Sequence, residues 1–319
     1  MSVEKRKVSS LIMRLIVKKL KKRYSAVDFN NLDMEGLMRA RRLLCGDGVI
    51  ENKRKGVLTK KKQFGGVPVE VTSSLRGKTG DTILYLHGGA FVLGIFPHIR
   101  KYVQTLALRT GCTVVMPDYS LAPEHKFPKA LDECEAVYNY VKKLSPGGRI
   151  ILAGDSAGGG LCLSLAMRLH SKGSEPPLCL ILHSPFTDLS GSLDRTINED
   201  VNNDFIVKMG LKGLVDEVYA GSADTTSYEI SPYKGDYSVL PPVYIACEAC
   251  ESLYADSLDI DRRIEESGGI VKTAVLEGSF HTCGTLGDMT PETKRITNEI
   301  SAFIVQSRAE QCDAGQEAF

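Results

Sequence analysis

The 319-residue sequence has almost no net charge: 40 lysines and arginines face 39 aspartates and glutamates, leaving no broad electrostatic footprint for nucleic acid. No apolar run approaches the roughly 18 residues needed to cross a bilayer. A signal peptide is not expected either, because the apolar stretch at residues 11–17 is interrupted by Arg14 and no small-residue cleavage site follows. The nine cysteines are odd in number and scattered, so they are expected to be reduced thiols of a cytoplasmic protein rather than a disulfide framework. Internal repeats and low-complexity tracts are absent, and 43% hydrophobic with 25% charged residues is the balance of an ordinary globular chain. Folding at this length buries roughly 75% of the unfolded surface, so neither disulfides nor metals are needed to hold a core.

What is present is unevenly spread. Residues 1–24 carry nine cations (Lys5, Arg6, Lys7, Arg14, Lys18, Lys19, Lys21, Lys22 and Arg23) against Glu4 alone. Leu11, Ile12, Leu15, Ile16 and Leu20 recur there at helical spacing, which predicts a basic amphipathic helix over 8–23, with a second helix over 33–44. Such a helix suits a lid on the protein's own apolar surface or a weak contact with a membrane surface. From residue 57 the pattern changes to strands: Val67, Val69 and Val71 alternate with Pro68, Glu70 and Thr72. Short continuous apolar runs follow at 82–86, 113–116, 150–153, 178–182, 243–246 and 271–276, as buried parallel strands require. Helical patterns lie between them, so an α/β fold is predicted, with a mostly parallel central sheet and helices on both faces. Residues 190–237 break the alternation and place Phe205, Ile206, Met209, Leu211, Leu214 and Val215 at helical spacing, which reads as an inserted cap. The expected organisation is N-terminal cap helices over 1–50 and a catalytic domain over 51–319 that carries this insertion.

The chemistry centres on Gly154-Asp155-Ser156-Ala157-Gly158, which follows one apolar run and opens a helical pattern through Leu161, Leu165 and Leu169. Strand, tight turn and helix form the context of a nucleophile elbow. The turn leaves no room for side chains at 154 and 158, holds the Ser156 oxygen in open space and aims the Ala157 N–H at the oxygen of an attacked carbonyl. A phosphate-binding glycine loop is disfavoured, because the lysine and spacing of the nucleotide fingerprints are missing. His87-Gly88-Gly89-Ala90 follows the run at 82–86, where further oxyanion donors belong. A serine needs a histidine base oriented by a carboxylate, in the order serine, acid, histidine for this fold. His281 lies after the last strand run, whereas His183 follows the elbow too closely to leave room for an acid. Glu251 stands after the run at 243–246, with Asp256, Glu248 and Asp259 nearby in a cluster that also suits plain solvated surface.

These motifs together resemble the hormone-sensitive-lipase-like branch of α/β-hydrolases, which contains many carboxylesterases. His87-Gly88-Gly89-Ala90 is similar to its His-Gly-Gly-Gly, the run Asp118 to His125 to its Asp-Tyr-Arg-Leu-Ala-Pro-Glu-His, and Gly154 to Gly159 to its Gly-Asp-Ser-Ala-Gly-Gly. With Ser184-Pro185-Phe186-Thr187-Asp188 and the His281 loop, the likeness runs from about residue 81 to 304. It implies an oxyanion hole from Gly88, Gly89, Ala90 and Ala157, and a cap built from the N-terminal segment and the insertion.

Three departures matter. Ala90 replaces a glycine but keeps its N–H, Ser120 replaces an arginine of a structural ion pair, and Glu251-Ser252-Leu253 stands where Asp-Pro-Leu is usual, which makes the acid a glutamate. The expected activity is hydrolysis of short- to medium-chain carboxylic esters, without cofactor or metal. Amide or metabolite deacetylase chemistry, or a non-catalytic receptor on the same fold, are the alternatives. Cys247 and Cys250 form a C-x-x-C beside the acid, and Cys283 follows His281 closely; no second ligand pair completes a zinc site, and free buried thiols are expected, with redox control of the active site as the alternative.

Overall fold

A computed structural model of the chain describes residues 3–25, 33–46, 48, 50, 54–195, 204–207 and 215–316. Among these, nine strands pair in one sheet: β1 (Glu4–Lys7), β2 (Val57–Phe64), β3 (Val67–Ser74), β4 (Thr82–Leu86), β5 (Thr113–Pro117), β6 (Ile150–Asp155), β7 (Leu180–His183), β8 (Val243–Glu248) and β9 (Val271–Glu277). Their spatial order is β1-β9-β8-β7-β6-β4-β5-β3-β2. β2 and β3 form an antiparallel hairpin, β3 runs antiparallel to β5, and every other pairing is parallel. The predicted mostly parallel α/β sheet is therefore present, and each apolar run of the sequence contains or abuts a strand. All residues of β4, β6, β7 and β8 are buried, because helices cover both faces of those strands.

Period-2 geometry divides these strands between two cores. Leu84, Leu86 and Leu152 face one side, toward α4 (Lys129–Leu144) and α5 (Ala157–Ser171). Ile83, Tyr85, Ile151 and Ala153 face the other, toward α3 (Pro97–Thr110) and the C-terminal α7 (Pro291–Gln316). A further helix, α6 (Tyr254–Glu266), lies between β8 and β9.

The N-terminal segment differs from expectation in one respect. Residues 4–7 form a strand parallel to β9, pairing Glu4 with Ala274 through Lys7 with Glu277, and the helix α1 is confined to Leu11–Tyr24. A highly charged edge strand has no apolar alternation for sequence reading to detect. Its backbone completes the β9 edge, while Arg6 pairs with Glu4 and with Glu299 at 3.0 Å. Such a short, charged strand also blunts the sheet edge. α1 then starts at Ser10, whose hydroxyl accepts from the Met13 N–H and whose own N–H donates to Glu292 at 2.9 Å on the first turn of α7. Met13 is fully buried, and Ile16, Val17 and Leu20 are half-buried against the body, but Leu11, Ile12 and Leu15 are exposed. α2 (Met34–Cys45) is docked by Arg41, which donates to the carbonyls of Val92 and Ala122 and pairs with Glu124 at 2.7 Å.

Where the resemblance expects an arginine, Ser120 donates its N–H and hydroxyl to Glu133 at 2.6 and 2.9 Å, and Lys129 pairs with the same carboxylate at 3.2 Å. Met209, Leu211 and Leu214 of the expected cap insertion lie outside the described residues. Within its described residues, Asp216–Ala220 form a π-helical turn that stacks Tyr219 on Phe91 with 3.8 Å between ring centroids.

Candidate active site

β6 ends at Asp155 and α5 begins at Ala157, so Ser156 occupies the bend between them with φ 53° and ψ −121°. That conformation is unfavourable for an L residue and persists because its surroundings over-determine it. Gly158 shows why: a Cβ placed there would lie 2.0 Å from the Leu86 carbonyl oxygen. The Ser156 N–H donates to the His183 carbonyl at 2.8 Å and its carbonyl accepts from the Phe186 N–H at 3.0 Å, which leaves the side chain as the free part of the residue.

The loop after β4 approaches the elbow from the other side. Gly89 has φ 125°, and a Cβ there would fall 2.5 Å from the Leu93 carbonyl oxygen, whereas Ala90 and Phe91 adopt φ 53° and 61° despite their side chains. Among the described residues, the N–H groups of Gly89, Ala90 and Ala157 donate to nothing. The Gly88 N–H, in contrast, is hydrogen-bonded to the Asp155 carboxylate. Of the four donors expected from the sequence, three are therefore available and one is occupied.

Asp155 has a role that the motif alone did not reveal. It is buried, accepts from the Tyr85 hydroxyl at 2.7 Å and fastens the glycine loop to the elbow; burial pushes its carboxyl up to about 6.

His281 follows β9 and is 4% exposed. Its Nδ1 is 2.7 Å from Glu251 Oε2, and its Nε2 is buried without a hydrogen-bond partner. Burial works against the imidazolium, but the Glu251 charge and hydrogen bond outweigh it and raise the His281 pKa above its usual value. Glu251, 1% exposed, is held by the Glu248 N–H donating to its Oε1 at 3.2 Å. Glu248 in turn ties the strand end to the histidine loop: it accepts from the N–H groups of Gly278 and Ser279 at 2.9 and 3.0 Å and from the Ser279 hydroxyl. Burial pushes Glu248 up to about 7.

The carboxylates at the end of β8 are thus not solvated surface; Glu248, Glu251 and Asp256 are all buried. Asp256 points away from His281. It accepts from the Thr187 N–H and hydroxyl at 2.9 and 2.8 Å and pairs with Arg195 at 2.7 Å, which anchors the start of the insertion. A sequence shows four carboxylates within a dozen residues, but only the strand-end turn decides which one meets the imidazole. Cys247, Cys250 and Cys283 are thiols outside any disulfide, and the Cys283 thiol can donate to Ser279 Oγ, 3.0 Å away, whose own proton goes to Glu248.

Ser156 and His281 line one cavity of about 350 Å³, within the range that holds small ligands. Its walls are largely apolar, with Leu93, Phe96, Ile206, Phe280 and Leu286, and its outer side is closed by Ile16, Leu20 and Tyr24 of α1. Among the described residues no group of side chains has the makings of a metal site, and no helix is long and apolar enough to cross a membrane.

Comparison with known proteins agrees with this arrangement. Residues 83–285 match the model of a family described as having the alpha/beta hydrolase fold. An esterase of Acinetobacter venetianus is 31% identical over 69% of this chain and 73% of its own, and an acetyl-hydrolase of Streptomyces hygroscopicus is 29% identical over 70% and 75%. The crystal structure of a hormone-sensitive lipase from a metagenome library superposes with a TM-score of 0.80, at 29% identity, over 92% of this chain and 97% of that one. The chain belongs to the α/β-hydrolase fold family, in its hormone-sensitive-lipase-like branch of carboxylic ester hydrolases.

Proposed function

We propose that the protein hydrolyses small carboxylic esters through a Ser156–His281–Glu251 triad and an acyl-enzyme. The observation that carries this reading is the contact of His281 Nδ1 with Glu251 Oε2 at 2.7 Å, with the unpartnered Nε2 beside the cavity that Ser156 lines. Glu251 fixes the tautomer in which Nδ1 holds the proton, leaving Nε2 as the base. Ser156 Oγ attacks the ester carbonyl carbon and passes its proton to Nε2. The carbonyl oxygen becomes an oxyanion, stabilised by the N–H groups of Gly89, Ala90 and Ala157. The alkoxide then leaves, protonated by the imidazolium, and the acyl group remains on Ser156. Water, deprotonated by Nε2, attacks that acyl ester; the acid departs and the serine is restored. Each oxyanion donor is worth roughly 10²–10³ in rate in a hydrolase of known mechanism.

The cap reading follows from the same cavity: α1 and the insertion cover it, so they select the acyl chain. Neither Ser156 nor His281 is missing, which argues against a non-catalytic receptor. The test is a panel of p-nitrophenyl esters from acetate to palmitate, in which short and medium chains should turn over best and Ser156→Ala should be inert. A folded protein inactive on the whole panel would overturn the proposal.

A further inference from the structure

We infer that the preferred ester carries an anionic group, such as a carboxylate or a phosphate, remote from the scissile bond, and that Lys19, Arg23 and Lys101 receive it. This rests on the reading of Ser156 as the nucleophile of an ester hydrolase and adds the substrate class.

The three cations line the same cavity as Ser156, Lys19 and Arg23 from α1 and Lys101 from α3. Lys19 and Arg23 are four residues apart on one helix face, where like charges repel. Elsewhere among the described residues the largely buried arginines Arg6, Arg41, Arg100, Arg168, Arg195 and Arg308 each contact a carboxylate, although exposed cations such as Arg14, Lys18 and Lys22 do not. At this mouth, by contrast, none of the three cations pairs with a described carboxylate. Arg23 instead donates to the Leu43 and Leu44 carbonyls at the end of α2, which fixes its guanidinium at the rim.

Among the described residues, the acidic groups nearby are committed elsewhere. Asp155 accepts from Tyr85 and Gly88, and Asp204 accepts from the N–H groups of Ile206, Val207 and Ser252. His98 lies on the same wall; burial and then the charges of Arg23 and Lys101 hold it down to about 4, so it stays neutral at pH 7 and can donate one N–H. An apolar cavity with low-dielectric walls and cations of one sign at its mouth focuses field on an incoming anion. The distribution of groups suits an acyl or alcohol chain lying against Leu93 and Phe96 with its charge held at the rim.

The experiment compares mono-p-nitrophenyl glutarate with p-nitrophenyl valerate, which has the same number of acyl carbons and no charge, using the full chain. At low salt the glutarate should have the higher kcat/KM. That preference should shrink in about 1 M NaCl, where the screening length falls to roughly 3 Å. Lys19→Gln and Lys101→Gln should each lower the glutarate-to-valerate ratio by roughly two- to five-fold, through KM. A valerate preference at low salt, or a ratio indifferent to both substitutions, overturns the inference. If a folded protein hydrolyses neither ester, the ester-hydrolase reading fails instead. Calorimetry of glutarate with Ser156→Ala then decides the anion site: binding weakened by Lys19→Gln supports it, and no binding overturns it.

Discussion

The elbow and the N-terminal segment proposed as a cap are built by opposite means. Around Ser156, atoms meet where no alternative fits: the Gly158 position leaves 2.0 Å between a built Cβ and the Leu86 carbonyl oxygen, and the Ser156 backbone is bonded on both sides to the β7 end. Beyond the ladder of β1 with β9, the N-terminal segment is joined to the body mainly by charge and greasy contact. α1 rests on Met13 and half-buried Ile16, Val17 and Leu20, while its Leu11 stays 70% exposed. Shape-limited packing permits few residue types, whereas an apolar stripe tolerates any of several. Chemistry is therefore expected to fail sharply with changes at the elbow and only gradually with changes in the cap.

The most direct attempt to break this contrast is Ser156→Ala. It removes only a hydroxyl, so the melting temperature should stay within a degree or two while kcat falls by about a millionfold, as in a protease that loses its serine. Circular dichroism melts and an active-site-purified ester assay check it; activity above about a hundredth of wild type would exclude Ser156 as nucleophile.

Two buried carboxylates five residues apart sharpen the comparison next. Glu251→Gln should keep the fold and lower kcat by about 10⁴, because an amide cannot hold the imidazole in the productive tautomer. Asp256→Asn should act on stability instead. Asp256 is fully buried against Arg195, and losing one partner of a buried pair costs about 3–5 kcal/mol. The measurement is kcat at saturating ester below each variant's melting transition. A larger kcat loss in Asp256→Asn would exchange their roles.

That pair also marks how far the sequence was legible. The sheet, the elbow and the histidine loop were readable because short apolar runs and a glycine-framed serine are demanded by burial and close backbone approach. Glu251 could be placed after the strand, but its separation from Asp256 depends on the turn that carries them, which no periodicity encodes. Asp155 and Glu248 were visible as letters only; their work is to bind backbone N–H groups brought close by the fold. The strand at Glu4–Lys7 was hidden because its four residues are all charged. The insertion shows a helical stripe in sequence, but that stripe does not say how it sits over the cavity.

Titration gives a smaller, graded effect. Ester hydrolysis needs neutral His281, and its pKa is raised above the usual 6.5 by Glu251 against the opposing effect of burial. The acid limb of kcat/KM should accordingly lie above pH 6.5, rising with pH, and should move to lower pH in Glu251→Gln, where burial is opposed only by the smaller effects of Asp204 and Asp155. A limb near pH 5 in wild type would contradict the pairing. Glu248 predicts a change in stability over its own window. It ionises at about 4.5 when unfolded but holds its proton up to about 7 in the fold, so its contribution is full below 4.5 and is lost as pH rises through 7. Glu248→Gln should flatten that part of the stability curve, measured by urea unfolding at pH 4.5, 6 and 8; an unchanged curve would place the pH dependence in other groups.

The smallest effect tests the elbow against its own rule. Ala90 stands where the resemblance expects a third glycine, and it holds φ 53° next to Phe91 at φ 61°. A left-handed alanine costs roughly 1–2 kcal/mol relative to its right-handed state. Ala90→Gly removes that strain but widens the unfolded ensemble by about 0.4–1 kcal/mol, so the net gain in stability should lie between about 0 and 1.6 kcal/mol. The N–H proposed as an oxyanion donor is present in both residues, so kcat should fall no more than a few-fold, through lost rigidity. Ala90→Val is the stringent partner, because a β-branched side chain at positive φ is a severe outlier. It should destabilise clearly and lower kcat, by displacing the N–H or by pushing Phe91 off Tyr219. Thermal melts and kcat on one short ester, measured for both variants, decide it. If valine is tolerated as well as glycine, the loop is looser than its neighbour at the elbow, and the division drawn above between shape-limited and greasy packing must be moved to put residues 90 and 91 on the side of the cap.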